Sequence, residues 1–186
     1  MDVFPSRLGR IEIICGPMFS GKTSELIRRI ERALFAKQKV LFFSKDTRNS
    51  KGKIKTHSGR FFNVTYVDSA EDILQKVTTE TEVIGIDEGQ FFGSGLCDVC
   101  MQLSDEGKRV IITCLDQDSE NRPFENILNL LAQAEYVDKL SAICECGDPA
   151  TRTYRLIEST ERILEGSEDL YTPLCRHCYL LRKRNL

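Results

Sequence analysis

Eight consecutive residues, Gly16, Pro17, Met18, Phe19, Ser20, Gly21, Lys22 and Thr23, spell G-x-x-x-x-G-K-T. In such a loop the glycines let backbone approach phosphate closely, while inward N–H groups and a helix dipole favour anions. The lysine reaches β- and γ-phosphates, and the hydroxyl holds Mg²⁺. A second chemical feature lies at residues 83–88, where an apolar run ends in two carboxylates, Asp87 and Glu88. An acid at the end of a neighbouring strand positions Mg²⁺, usually through water, while the metal bridges the β- and γ-phosphates. Asp87 fits that role. On an extended chain Glu88 points to the opposite side, where it could accept the proton of an attacking hydroxyl. Nucleoside triphosphate binding is the reading of this pair of features.

Those residues need a strand before the loop and a helix after it. The run at 11–15 supplies the strand, and Leu26, Ile27, Ile30, Ala33 and Leu34 fall on one helical face. Further strands are expected at 40–43, 64–67, 83–86 and 110–114, and helices at 70–77, 96–106 and around 127–134. Such alternation implies βαβ crossovers and a mostly parallel sheet with helices on both faces, a P-loop α/β fold. Near Ile143 the character changes to cysteines and Gly/Pro turns, so the expected units are 1–142 and 143–186. Residues 47–62 are polar and basic and read as a mobile loop or hairpin, with His57 a solvated surface residue. A net charge of −2 provides no basic field for nucleic acid, and Arg182, Lys183 and Arg184 read as a solvated tail. With no run of 18 apolar residues and no signal-peptide core near the N-terminus, no membrane span is expected and a cytoplasmic location is.

There are eight cysteines. In a reducing compartment they argue for thiols or a metal rather than disulfides. Cys144-x-Cys146 and Cys175-x-x-Cys178 are two close pairs bracketing a loop, the pattern of a tetrahedral Zn²⁺ site. Cys97 and Cys100 sit on the apolar stripe of a helix and read as buried thiols, as do Cys15 and Cys114 in core strands.

The P-loop together with Lys45, Asp46, Thr47 and Arg48, with Asp87-Glu88-Gly89-Gln90-Phe91-Phe92, with Arg122-Pro123-Phe124 and with the run from Pro173 through Cys175 and Cys178 to Tyr179 resembles the cellular-type (type II) thymidine kinases. The likeness runs from about Gly9 to Tyr179. It implies phosphoryl transfer from ATP, with Mg²⁺, to the 5′-hydroxyl of thymidine or deoxyuridine. By resemblance, Glu88 is the general base. Lys22, Thr23, Asp46, Arg48, Asp87 and Gln90 belong to the phosphate, metal and polar set, with Thr23 and Asp87 on Mg²⁺. Phe91, Leu115 and Phe124 wall the base, which suits a flat ring with few polar handles. A lasso at 153–171 closes over the site, bringing Thr153, Arg162, Ile163, Leu164, Glu165, Gly166 and Tyr171 to the substrate, and a structural zinc at Cys144, Cys146, Cys175 and Cys178 pins its base. The family also implies a homotetramer inhibited by dTTP.

This chain departs from the family in three places. The leading cysteine pair is one residue short of C-x-x-C, which leaves His177 as a conceivable substitute ligand. Ser119 stands where a phenylalanine is usual, and the lost stacking, about 1 kcal/mol by analogy with aromatic pairs, implies weaker or broader nucleoside selection. Arg162 and Glu165 replace small apolar residues in the lasso. Two rival readings follow from the motifs alone: an ATPase in which Glu88 polarises water, and a zinc ribbon that binds nucleic acid.

Overall fold

The structure, a computed structural model, describes residues 9–45, 53–55, 61–164 and 169–184. Asp46, Arg48, His57, Glu165 and Gly166 lie outside the described residues. The apolar runs expected as strands become β1 (Arg10–Cys15), β2 (Val40–Ser44), β5 (Thr65–Tyr66), β6 (Val83–Asp87) and β7 (Arg109–Cys114). With β8 (Tyr136–Lys139) they form one sheet in the order β5-β2-β6-β7-β1-β8, every pair parallel. The basic stretch takes the hairpin form of the two expected, β3 (Lys53–Lys55) running antiparallel to β4 (Phe61–Asn63).

Alternate side chains of these strands enter two cores, because helices cover both faces. Ile14, Phe42, Val83 and Ile111 pack under α1 (Lys22–Phe35) through its Leu26, Ile30 and Ala33. The other face sends Ile13, Phe43, Ile84, Ile86 and Ile112 toward α2 (Glu71–Lys76), α3 (Leu96–Asp105) and α4 (Glu125–Gln133). Burial on both sides is why the sequence shows continuous apolar runs rather than alternation. Gly85 lets α1 sit close on β6, since a Cβ there would lie 2.6 Å from Ile30 Cδ1. Leu34, expected on the buried face of α1, is 41% exposed, although its neighbour Ala33 in the same turn is buried.

Strand β8 is absent from the sequence reading. It is an edge strand, exposed along its whole length, so nothing requires an apolar run there. Beyond it come the antiparallel pairs β9 (Ala142–Ile143) with β10 (Pro149–Ala150) and β11 (Arg152–Arg155) with β12 (Tyr171–Leu174), then α5 (Arg176–Arg184). Ala142, Cys144, Ala150, Tyr154, Leu174, Cys175 and Tyr179 make a third, separate core. Arg182, Lys183 and Arg184, expected as a tail, are the last turn of α5, where cations complement the helix dipole. Arg182 pairs with Glu145 at 2.6 Å and Lys183 with Glu120 at 2.7 Å. Among the described residues no helix is long and apolar enough to cross a membrane.

Candidate active site and cysteine cluster

The eight-residue loop links the end of β1 to the start of α1. Gly16 has φ 141°, and a Cβ there would meet Leu140 O at 2.4 Å, so both backbone angle and space demand glycine. Gly21, at φ 81°, sits left-handed at the N-cap of α1. Phe19 is also left-handed, at φ 65°, which holds its ring partly exposed at the mouth of the site. The Pro17 carbonyl accepts from Ser20 Oγ at 2.9 Å and from Lys22 Nζ at 2.7 Å. Burial lowers the pKa of Lys22, and the opposing pull of Glu88 and Asp87 only partly restores it. Met18 N–H donates to Thr153 Oγ1 at 3.0 Å, joining the loop to β11.

Sheet order places β7 between β1 and β6, so its end lies between the loop and the two acids. Thr113 of β7 donates to Asp87, and Thr23 Oγ1 donates to the same carboxylate at 3.1 Å. Burial pushes the Asp87 carboxyl up to about 6 and the Glu88 charge adds to this, against the two threonine hydrogen bonds and Lys22. A hydroxyl and a carboxylate side by side are hard oxygen donors suited to Mg²⁺. Glu88 is not separated from Asp87 by strand alternation, as the sequence suggested. β6 ends at Asp87, and Glu88 turns left-handed at φ 57°, which redirects its side chain. Its N–H meets Thr113 Oγ1 at 3.3 Å. Gln90, 5% exposed, donates through Nε2 to Glu88 Oε2 and accepts Leu115 N–H at 2.9 Å.

A cavity of about 260 Å³ opens beside these groups. Of the expected site residues its wall contains Met18, Phe19, Gly21, Lys22, Thr23, Glu88, Phe91, Leu115, Phe124, Thr153, Arg162, Ile163, Leu164 and Tyr171. Gly16, Pro17, Asp87 and Gln90 are buried, and none of them, nor Ser20, belongs to the wall. Tyr171 Oη donates to Leu164 O at 2.8 Å and accepts Leu164 N–H at 3.3 Å, so one phenol fixes both backbone groups of that residue. Ser119 lines the cavity too, its Oγ accepting from Arg155 at 2.9 Å and its carbonyl from Tyr179 Oη at 2.7 Å.

Two contributors escape the sequence reading. Thr113 is a hydroxyl near the C-terminal end of an otherwise apolar core strand, and that break in apolarity was its only signal. Asp118 accepts N–H bonds from Glu120 and Arg122, both at 2.9 Å, and holds the loop at 116–124 in shape. Burial would raise its pKa, but those amides and the guanidiniums of Arg162 and Arg122 lower it overall. The Asp118/Arg122 spacing of four hinted at the pairing.

The sulfur atoms of Cys144, Cys146, Cys175 and Cys178 all lie within 4.8 Å of one another. Cys146 and Cys175 Sγ are 3.7 Å apart, close to the edge, about 3.8 Å, of a tetrahedron with 2.3 Å Zn–S bonds. Burial would raise the Cys144 thiol, but backbone N–H groups of Cys146 and Cys175 bring it down to about 7. The cluster can therefore hold a metal such as zinc, the short pair notwithstanding. His177, the substitute the short spacing suggested, is exposed and stands outside this group.

A family model described as thymidine kinase matches residues 9–179. The chain is 49% identical over 176 residues to a thymidine kinase of Bacteroides fragilis, covering 93% of this chain and 88% of that protein. It is 49% identical to the thymidine kinase of Bacteroides thetaiotaomicron, covering 94% and 88%. To that of a Rhodothermus species it is 48% identical, covering 92% and 82%.

Proposed function

The chain belongs to the thymidine kinase family, and we propose that it transfers the γ-phosphoryl group of ATP to the 5′-hydroxyl of thymidine, and of deoxyuridine, giving the 5′-monophosphate. The observation that carries this reading is the placing of Glu88 at one cavity beside both the loop at 16–23 and an apolar wall of Phe91, Leu115 and Phe124. The loop amides and the α1 N-terminus bind the triphosphate. Lys22 exchanges its Pro17 carbonyl for phosphate oxygens and neutralises charge as the phosphoryl moves. Thr23 and Asp87 are the residues that would hold Mg²⁺, which supplies further charge neutralisation at the β- and γ-phosphates. Thr113 keeps Asp87 oriented, and Gln90 does the same for Glu88.

Glu88 accepts the proton of the 5′-hydroxyl as that oxygen attacks. The aromatic wall packs the base, and backbone groups of Ile163 and Leu164, the latter fixed by Tyr171, read its polar edge. Asp46, Arg48, Glu165 and Gly166 keep the roles that the resemblance gives them. The cysteine cluster binds one structural Zn²⁺ that joins Cys144 and Cys146 to Cys175 and Cys178 within the unit at 143–186 and so pins the base of the lasso. A homotetramer, feedback inhibition by dTTP and a cytoplasmic location complete the proposal.

Incubation with ATP, Mg²⁺ and each of four deoxynucleosides tests it. ADP release should depend on thymidine and match nucleoside monophosphate formed. Release of ADP at the same rate without a nucleoside would instead support the ATPase reading.

A further inference from the structure

We propose that Arg162 is a positioning residue for the nucleoside, fastening the segment that carries Ile163 and Leu164 to the loop at 116–124 and covering a face of the Phe124 ring in the cavity wall. The inference rests on the kinase reading above. It concerns the arginine's side chain, where that reading used only backbone of its neighbours.

The guanidinium spends its donors in three directions. Nε donates to Asp118 Oδ2 at 2.9 Å, Nη1 to the Glu125 carboxylate at 3.1 Å and Nη2 to Pro123 O at 2.7 Å. Its Cζ also lies 5.0 Å from the centre of the Phe124 ring. A planar fork can hold three acceptors around its edge while presenting a face to an aromatic ring, whereas an ammonium is a point donor.

The partners are unequal. Asp118 is 2% exposed at the side chain and already accepts from Glu120 N–H, Arg122 N–H and Arg122 Nε. It is a rigid anchor. Glu125 is 76% exposed at the side chain, and an ion pair so solvated adds little.

Arg162, Asp118 and Phe124 all line the cavity, as do Ile163 and Leu164 immediately after the arginine. Tyr171 grips Leu164 by both backbone groups. The short segment 162–164 is thus held at both ends, by Arg162 and by Tyr171, with the cavity beside it. Releasing the Arg162 end lets Ile163 and Leu164 leave the wall and strips the guanidinium from the face of Phe124, whose ring its core neighbours still hold. Neither change touches the loop at 16–23, Asp87 or Glu88. The cost therefore falls on nucleoside binding and spares both ATP binding and the chemical step.

Steady-state kinetics of Arg162→Ala, Arg162→Lys and Glu125→Gln, with thymidine and ATP varied separately, test this. Losing charge-assisted hydrogen bonds and the ring contact should raise KM for thymidine about tenfold in Arg162→Ala. KM for ATP and kcat should stay within about twofold, since a residue absent from the reacting atoms removes only uniform binding. Arg162→Lys should recover part of the loss, leaving KM for thymidine about threefold high, because one donor to Asp118 survives while the fork and its stacked face do not. Glu125→Gln should match wild type. If Arg162→Ala does not fold, the lysine variant carries the same test. An unchanged KM for thymidine, or equal losses in both KM values and kcat, would overturn the inference while leaving the kinase reading intact. Wild-type protein without thymidine-dependent ADP release would overturn both.

Discussion

Asp87 and Glu88 are neighbours in sequence, yet the left-handed turn at Glu88 gives them different surroundings. Asp87 is buried behind the cavity between two threonine hydroxyls, whereas Glu88 lines the cavity and is steadied by Gln90. A conformation that costs a non-glycine residue on the order of 1 kcal/mol persists only where its surroundings enforce it, and here it leaves Glu88 lining the cavity. Glu88→Gln keeps the shape and removes the proposed proton acceptor. Turnover should fall about 10²–10⁴-fold while ATP still binds, read by kinetics and by nucleotide titration. Unchanged turnover would place the base elsewhere, and lost ATP affinity would assign Glu88 to the metal. The identity of both acids was legible from the apolar run that they terminate. Their separation was legible too, but its cause was not: the strand ends at Asp87, and a left-handed turn rather than alternation redirects Glu88.

At the scale of elements, legibility followed burial. Strands β1, β2, β6 and β7 are covered on both faces, and each announced itself as an apolar run. The exposed edge strand β8 left no such run, and α5 was hidden because only Tyr179 along it is buried. That tyrosine makes α5 matter to the site. Its hydroxyl donates to Ser119 O at 2.7 Å, and its ring meets Tyr154 edge-on with centroids 5.7 Å apart. Helix α5 thereby props the loop that bears Ser119 and Asp118. Tyr179→Phe keeps the ring contact and leaves that carbonyl without its partner, a loss of about 1–2 kcal/mol. The expected result is a lower thermal midpoint together with a raised KM for thymidine and an unchanged KM for ATP. A lower midpoint with neither KM altered would show that α5 supports the fold without shaping the cavity.

For the whole molecule, the cysteine unit and the parallel sheet with its two cores fail under different stresses. The cluster around Cys144 and Cys175 holds few apolar side chains, so a bound metal would contribute much of its folding energy. Purified protein should carry about one Zn²⁺ per chain, and chelation should expose backbone amides at 142–184 to hydrogen exchange before those of the parallel sheet. Full protection there after complete zinc removal would make the metal dispensable. The parallel sheet answers instead to acid, through Glu12. This carboxylate, 6% exposed on β1, accepts from Arg10 at 2.7 Å, Arg109 at 2.6 Å and Arg29 at 2.9 Å, and Arg29 reaches on to Asp138 of β8. One acid thus ties β1, β7, β8 and α1 together. Burial alone would raise its pKa, but the hydrogen bonds and charges of Arg109 and Arg10 prevail and hold it at about 2, against an ordinary 4.5. A depressed carboxyl stabilises the fold fully above its unfolded value and loses that contribution as pH falls from 4.5 toward 2. The shift corresponds to about 3 kcal/mol, reduced to about 2 kcal/mol by the solvent exposure of Arg10 and Arg109. Glu12→Gln should therefore unfold more easily than wild type by about that amount at pH 7, with the gap closing as both are titrated below about pH 3. Release at low pH of any metal held by the cysteine cluster would be common to the two proteins and would cancel in the comparison. A gap that stays constant from neutral to acid pH would mean that Glu12 acts through its shape and hydrogen bonds alone, and that acid lability of the sheet arises elsewhere.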